Sequence, residues 1–442
     1  MRWLVFGSYD VRRHPRVGVL VEGLRAAGDE VTELNEPLTM DTAARIAVLR
    51  QPWRLPLLVG KLARCWALLV LRALRQRHGS PPGGPVDAVL VGYLGHFDVH
   101  LARLLFRGTP IVLDHLVSAA GTARDRGLAD ARGARVRLMR AIDDAALRRA
   151  DVVLVDTEEH LDALPAAARD RGTVVPVGAG AAWFAAGART ARERWPGDPA
   201  GGGRWRLRVV FVGLFTPLHG TRTLGAALAA LAGDDSIEVT VVGTGQEHPG
   251  CRRAAADNPR VTWHDWIPAA ELPGFVAGHH VSLGIFGATA KAGRVVPTKV
   301  FQGAAAGCAI VTSDTAPQRR ALGDAAVFVP AGDPSALADA LRDLAGDPDR
   351  LARLRRAARR RALEHFWPAT VVAPVRHRID PAVERDAGPA DSSPGAAGTP
   401  NPVESSPDAA RTPSPAESSP GAAGTPNAAG GNLTAGPVWW LG

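Results

Sequence analysis

A doubly wound α/β architecture in two consecutive halves is the fold class this sequence predicts, and three observations carry it. Short apolar runs alternate with stretches at helical period from the first residues onward. Several of those runs end in glycine. The whole alternation then starts again after a Gly/Arg/Pro stretch at residues 187–203. With 442 residues and 46% hydrophobic content, the chain is long enough for two domains and an extension.

Residues 2–6 read as a buried strand running into Gly7-Ser8, followed by helical period over Val17–Ala27 and a second strand near Val31–Leu34. This βαβ opening lacks the second and third glycines of the G-x-G-x-x-G fingerprint, which argues against a nicotinamide or flavin cofactor. Arg12, Arg13, His14 and Arg16 follow the turn, as a solvated loop or as one that contacts an acceptor.

Residues 46–78 carry apolar runs bounded by arginines, with Trp53 and Trp66 near their edges. The runs are too short to span a bilayer; a helix packed on its own domain and a basic amphipathic helix on a membrane surface both fit. Strands at Ala88–Val91 and Ile111–Leu113 flank a helix over Val99–Phe106. Asp98, Asp114 and His115 fall at or just beyond strand ends, where open parallel sheets form their ligand crevice. His96 and His100 have the spacing of two metal ligands on one helix, but no carboxylate or cysteine set accompanies them. Asp125-Arg126 precede a long helix over Ala134–Arg149. The strand Val152–Asp156, a further helix and the strand Thr173–Val177 close the half near Trp183-Phe184.

In the second half, Arg206–Val212 is a strand ending in Gly213, Thr221–Leu231 a helix, and Val239–Val242 a strand ending in Gly243-Thr244-Gly245. Strands at Val261–Trp263 and Val281–Ile285 lead to FGATAKAGRVVPTKVFQGAAAGCAIVTSD, residues 286–314. That stretch combines a small-residue loop, the cations Lys291, Arg294 and Lys299, a helix start at Pro297-Thr298 and a buried strand. Unpaired N–H groups and the positive end of the dipole make such a helix start an anion site. Gln302 shares a helix face with Thr298 and Lys299 and can hydrogen-bond a sugar hydroxyl. A strand at Ala326–Val329 and helices at Pro334–Ala345 and Asp349–His365 complete the half; Asp347 and Asp349 read as capping residues rather than metal ligands.

A formal net charge of +8 and a pI near 10.3 point to an anionic partner. Nucleic acid fits poorly, because the arginines are spread through both halves with little aromatic interleaving. Cys65, Cys251 and Cys308 have neither paired nor zinc-site spacing, so a reducing, cytoplasmic location is expected, with the inner membrane face as one option. From about Asp380 the composition turns to Pro, Ala, Gly, Ser and Thr, and SSPGAAGTPN occurs twice; residues 380–442 are expected to be disordered.

Taken in order, ADVVLVDTEEHLDAL, VVPVGAGAAWF, VVFVGLFTPLHG, VTVVGTGQE and VPTKVFQGAAAGCAIVTSD resemble the group-one, or family-four, glycosyltransferases. The resemblance covers roughly residues 1–370. It implies a GT-B fold: an acceptor-binding domain over residues 1–186, a linker over 187–203, and a nucleotide-sugar domain over 204–379, with return of its last helix to the first domain as one option. The implied reaction moves a sugar from a nucleotide-diphosphate donor to an unknown acceptor (lipid, saccharide or small molecule), with retention and without a cofactor or metal. A non-catalytic nucleotide-sugar-binding protein and a sugar-nucleotide epimerase are the alternatives.

Carried over, Gly213, His219 and Gly220 approach the diphosphate, Gly243 and Gly245 line the nucleotide pocket, and Trp266 and Ile267 border the base. Gly287, Lys291, Arg294, Thr298, Lys299 and Gln302 surround the donor sugar and phosphates. His115, with Asp114 beside it, is the candidate catalytic position, and Gly7, Arg16 and Asp98 are candidates for the acceptor. The chain departs from the family where a pair of glutamates is usual and Arg294 and Gln302 stand instead. It also has His219-Gly220 in place of Lys-Gly.

Overall fold

The computed structural model describes residues 1–11, 14–38, 55–78, 86–93, 95–116, 118–121, 133–190, 205–255 and 258–382. The expectations for Arg12, Arg13, Trp53, Asp125-Arg126, residues 191–203 and the tail beyond 382 lie outside these. Two six-stranded sheets, each wholly parallel, form the frame.

The first half runs β1 (Arg2–Gly7), α1 (Pro15–Ala26), β2 (Glu30–Asn35), α2 (Leu55–His78), β3 (Ala88–Val91), α3 (Asp98–Leu105) and β4 (Ile111–Asp114). It continues through α4 (Ala134–Leu147), β5 (Val152–Val155), α5 (Glu158–Asp162), α6 (Ala166–Arg169), β6 (Gly172–Val174) and α7 (Ala181–Thr190). Its strand order is β2-β1-β3-β4-β5-β6. The central strands are apolar throughout because helices cover both faces; every residue of β3 and β5 is buried.

The second half runs β7 (Leu207–Val212), α8 (Thr221–Ala230), β8 (Ile237–Val242), α9 (His248–Ala254), β9 (Val261–His264), α10 (Leu272–Ala277) and β10 (Val281–Leu283). Then come α11 (Thr298–Ala305), β11 (Ala309–Ser313), α12 (Ala316–Leu322), β12 (Ala326–Val329), α13 (Pro334–Gly346), α14 (Pro348–His365) and α15 (Pro368–Ile379). The order β12-β11-β10-β7-β8-β9 reverses direction between β7 and β10, as the first sheet does between β1 and β3. Connections leave to opposite faces at such a point, which opens a crevice beyond the strand ends.

Several boundaries differ from the sequence reading. Proline at the first helical position starts α1 at Pro15 rather than Val17, which puts Arg16 inside the helix. Pro297 is the residue before α11 rather than its first residue. Gly187 to Thr190, read as linker, form the last turn of α7. Asp347 does cap its helix, accepting from the Arg350 N–H at 2.8 Å, as Asp333 does from Ala336 at 2.9 Å.

After α14 the chain leaves the second half, and α15 packs on α1 of the first. Gly23 is obligatory at the crossing, since a Cβ there would lie 2.2 Å from the Pro368 carbonyl oxygen. Arg376 fixes the helix end by donating to both Asp29 oxygens, at 2.8 and 2.9 Å; the same carboxylate accepts from the Trp3 indole at 3.1 Å. A continuous apolar cluster joins the halves, running from Val177 and Phe184 to Phe301, Phe366 and Val371. Burying a side chain such as Phe301 stabilises this junction by roughly 1.5–3 kcal/mol.

Candidate functional site

The crevice of the second sheet is built from backbone. The loops after β7, β8 and β10 pack so closely that side chains cannot intervene. A Cβ at Gly243, whose φ is 124°, would sit 1.9 Å from the Gly213 oxygen, and one at Gly287 would sit 2.5 Å from the Leu218 oxygen. Gly220 takes a left-handed φ of 64° against the Phe286–Gly287 peptide, a conformation open at low cost only to glycine. Gly245 presses on Phe215 in the same layer.

Lys299 enters this layer from the first turn of α11, a helix buried against β10, β11, α14 and α7. Its ammonium lies 3.9 Å from the centre of the Phe211 ring and within 2.6 Å of where a Gly213 Cβ would be. Lys299 is 5% exposed, and its Nζ has no hydrogen-bond partner among the described residues. Burial alone holds its pKa well below the usual lysine range. One turn on, Gln302 is also buried, with Oε1 unpartnered. Buried polar groups are nearly always paired, so two unpaired ones side by side at a helix start mark a place for a ligand.

His219 lies beside them. Its Nδ1 shares a 3.0 Å hydrogen bond with the Thr216 hydroxyl. Burial, then Lys299 and Lys291, depress its pKa, so the ring is neutral at physiological pH. Lys291 precedes a short 3-10 turn over Ala292–Arg294, whose last residue, Arg294, is exposed. Trp266 is 47% exposed and Ile267 half-buried, beyond β9. Thr298 opens α11 and is half-buried.

Across the cleft, the first sheet gathers its candidates into two groups. Gly7 and Asp98 belong to one: Asp98 accepts from the Ser8 N–H and hydroxyl, each at 2.7 Å, and from the Trp66 indole at 2.8 Å. Arg16 and Asp114 form the other, a buried ion pair with Nε 2.7 Å from Oδ1, while Nη1 donates to the Val175 carbonyl at 3.0 Å. Arg16 is therefore not the loop cation its sequence position implied. Burial raises the Asp114 pKa, Arg16 opposes the shift and Asp156 adds to it.

His115 follows β4 and is 7% exposed, with Nδ1 unpartnered among the described residues. Burial first, and His96 second, push its pKa down to about 4, so it is neutral at pH 7. His96 does not pair with His100. Its Nε2 lies 3.0 Å from Asp143, a residue of α4 that sequence reasoning did not single out. The ligand atoms of His96, His115 and Asp143 lie within 4.8 Å of one another, a set of metal-binding type. Asp143, however, already accepts from the Ser118 hydroxyl and the Ala119 and Ala120 N–H groups.

The two halves meet at this edge. The Thr157 hydroxyl, which caps α5 by accepting from His160, donates to the Arg294 carbonyl at 2.8 Å, and Arg320 bonds Glu159. His115 lies next door, its N–H donating to Leu154 of β5. The only sequence signal for Thr157 was that of a helix cap, a threonine before two acids.

Two facing Rossmann-like parallel sheets with a cleft between them constitute the GT-B fold. Residues 222–375 match a family described as glycosyl transferase-like. The fold is similar to sucrose-phosphate synthase from Thermosynechococcus elongatus, with 16% identity over 85% of this chain and 98% of that one and a TM-score of 0.60. It is also similar to the trehalose-phosphate synthase of E. coli bound with UDP-2-fluoro glucose, with 13% identity over 86% and 99% of the two chains and a TM-score of 0.59. HepE of Anabaena in complex with UDP-glucose gives 12% identity, 87% and 99% coverage and a TM-score of 0.55. No curated protein matches the chain.

Proposed function

We propose that the protein is a glycosyltransferase that moves a sugar from a nucleoside-diphosphate donor to an acceptor held by the first half, with retention and without a metal. The observation that carries this reading is the unpaired, buried Lys299 with Gln302 beside it, in a layer of glycine loops at the reversal point of the second sheet. The match of residues 222–375 to glycosyl transferase-like domains supports it, as do similar folds with bound UDP-sugars.

In this reading the diphosphate lies on Gly213 and the N-terminus of α11. Lys299, whose charged form is favoured opposite the diphosphate, stabilises the negative charge that grows as the sugar leaves. Gln302 bonds the ribose, Gly243 and Gly245 line the nucleotide pocket, and Trp266 and Ile267 border the base. Neutral His115 can donate to or accept from a hydroxyl of the donor sugar, with Asp114 held beside it by Arg16. The acceptor side lies towards Gly7 and Asp98.

Replacing Lys299 with Met tests the proposal. Donor affinity should weaken by about 1–3 kcal/mol, on the order of tenfold to a hundredfold, the range for losing a charged hydrogen bond. The melting temperature should hold or rise, since an apolar group replaces an unpaired buried amine. Calorimetric titration with a panel of nucleoside-diphosphate sugars reads the first effect and thermal denaturation the second; equal affinity in both proteins would remove Lys299 from the site. Donor binding without release of nucleoside diphosphate on any acceptor would leave a binding protein instead.

A further inference from the structure

Helix α2, Leu55–His78, is apolar on two faces, which a helix on a soluble surface ordinarily avoids. Its inner face holds the buried Leu69 and Ala73, and Trp66 bonded to Asp98. Opposite them, Leu57, Gly60, Arg64, Ala67, Leu71 and Leu74 recur at alternating three- and four-residue spacing, and every one is exposed. Leu57 is 60% exposed, Leu71 51% and Leu74 41%. These three and Val59 account for four of the ten large hydrophobic residues exposed in the described structure. Leu104 on α3, which packs against α2, is exposed as well.

The charge on this helix has one sign. Lys61, Arg64, Arg72 and Arg75 lie along it; it contains no aspartate or glutamate, and Arg72 turns to Glu36 beyond β2, 2.5 Å away. A second copy of the helix would bring its arginines against like charges with no acid to answer them. An acidic bilayer surface offers acyl chains for the leucines and phosphates for Arg64 and Arg75. No helix of the described residues is long and apolar enough to cross a membrane, so the contact lies in the interface plane. Trp66 is not its anchor, since its indole is spent on Asp98.

We propose that the outer stripe of α2 docks the protein on anionic phospholipid, which goes beyond the transfer reaction and does not depend on it. The test uses the full chain in sedimentation with vesicles of phosphatidylcholine, alone or containing phosphatidylglycerol. Binding is expected only to the anionic vesicles and should weaken as salt is added. The paired substitutions Arg64→Glu with Arg75→Glu, and Leu71→Glu with Leu74→Glu, should each lower vesicle affinity by about tenfold or more. Melting temperature and calorimetric donor affinity should stay unchanged, which separates this result from any failure of the transferase reading. If the leucine variant does not fold, the arginine variant carries the test alone.

Absence of the full chain from anionic pellets, equal binding to phosphatidylcholine alone, or unaltered binding by the arginine variant would overturn the proposal. So would a dimer in light scattering that the Leu71→Glu, Leu74→Glu variant dissolves, which would assign the stripe to a second copy.

Discussion

Arg16→Met is expected to destabilise the protein by about 3–5 kcal/mol, the cost of stranding a buried charge. Arg16 and Asp114 are each 2% exposed and 2.7 Å apart, so water cannot replace the lost guanidinium. The carboxyl, whose pKa burial already raises, would then resist ionisation further. A group that ionises less readily when folded than when unfolded makes the protein more stable as pH falls. The variant should therefore recover part of its loss on mild acidification. Adding Asp114→Asn should restore stability, and a double-mutant cycle read by denaturant titration gives the coupling. Stability close to that of the parent in the single variant would show that the pair is not what holds α1 to the end of β4.

Acidification of the parent protein should produce a second large effect. Burial pushes His115 and His279 down to about 4, and burial with Arg355 and Arg208 pushes His280 down to about 3, from an ordinary value of 6.5. Above 6.5 neither the folded nor the unfolded chain protonates these rings. Below it the unfolded chain takes up protons that the folded chain refuses, so stability falls as pH drops from 6.5 towards 4. Each ring contributes a loss of up to about 3 kcal/mol. Asp143, held down to about 2, keeps its contribution through this window and loses it only below.

His280 shows the structural reason, because its Nδ1 accepts the Arg208 N–H at 2.9 Å and a proton there would break that bond. Two of the three rings belong to the second half, which should melt first. Thermal scans between neutral pH and about pH 4.5 read the effect. His279→Gln with His280→Gln should flatten the dependence, and a parent melting temperature constant across that range would refute the account.

The strands and the order of the halves were legible because glycine and apolar runs record them directly. Gly243 and Gly287 stand where the chain has to pass backbone against backbone, and Gly213 where the Lys299 side chain needs the room a Cβ would take. The state of Lys299 was not legible. Periodicity places it on α11, but only the packing of that helix between sheet, α7 and α14 removes its ammonium from water. Arg16 misled for a related reason: a cation directly after Pro15, in a run of basic residues, reads as solvated until Asp114, far along the chain, is found beside it. Asp143 sits in an ordinary amphipathic pattern and meets His96 only through the fold. The Thr157 contact with Arg294 likewise needs both halves in place.

The return of α15 to the first half means that the chain passes between the two bodies twice, once between residues 190 and 205 and once between α14 and α15. A body tethered to another at two points turns most easily about the line that joins them, as a door does on two pins. The first half is then not a single stretch of sequence: it is completed by the segment that follows the second, and a cut that looks clean on paper would leave α1 uncovered.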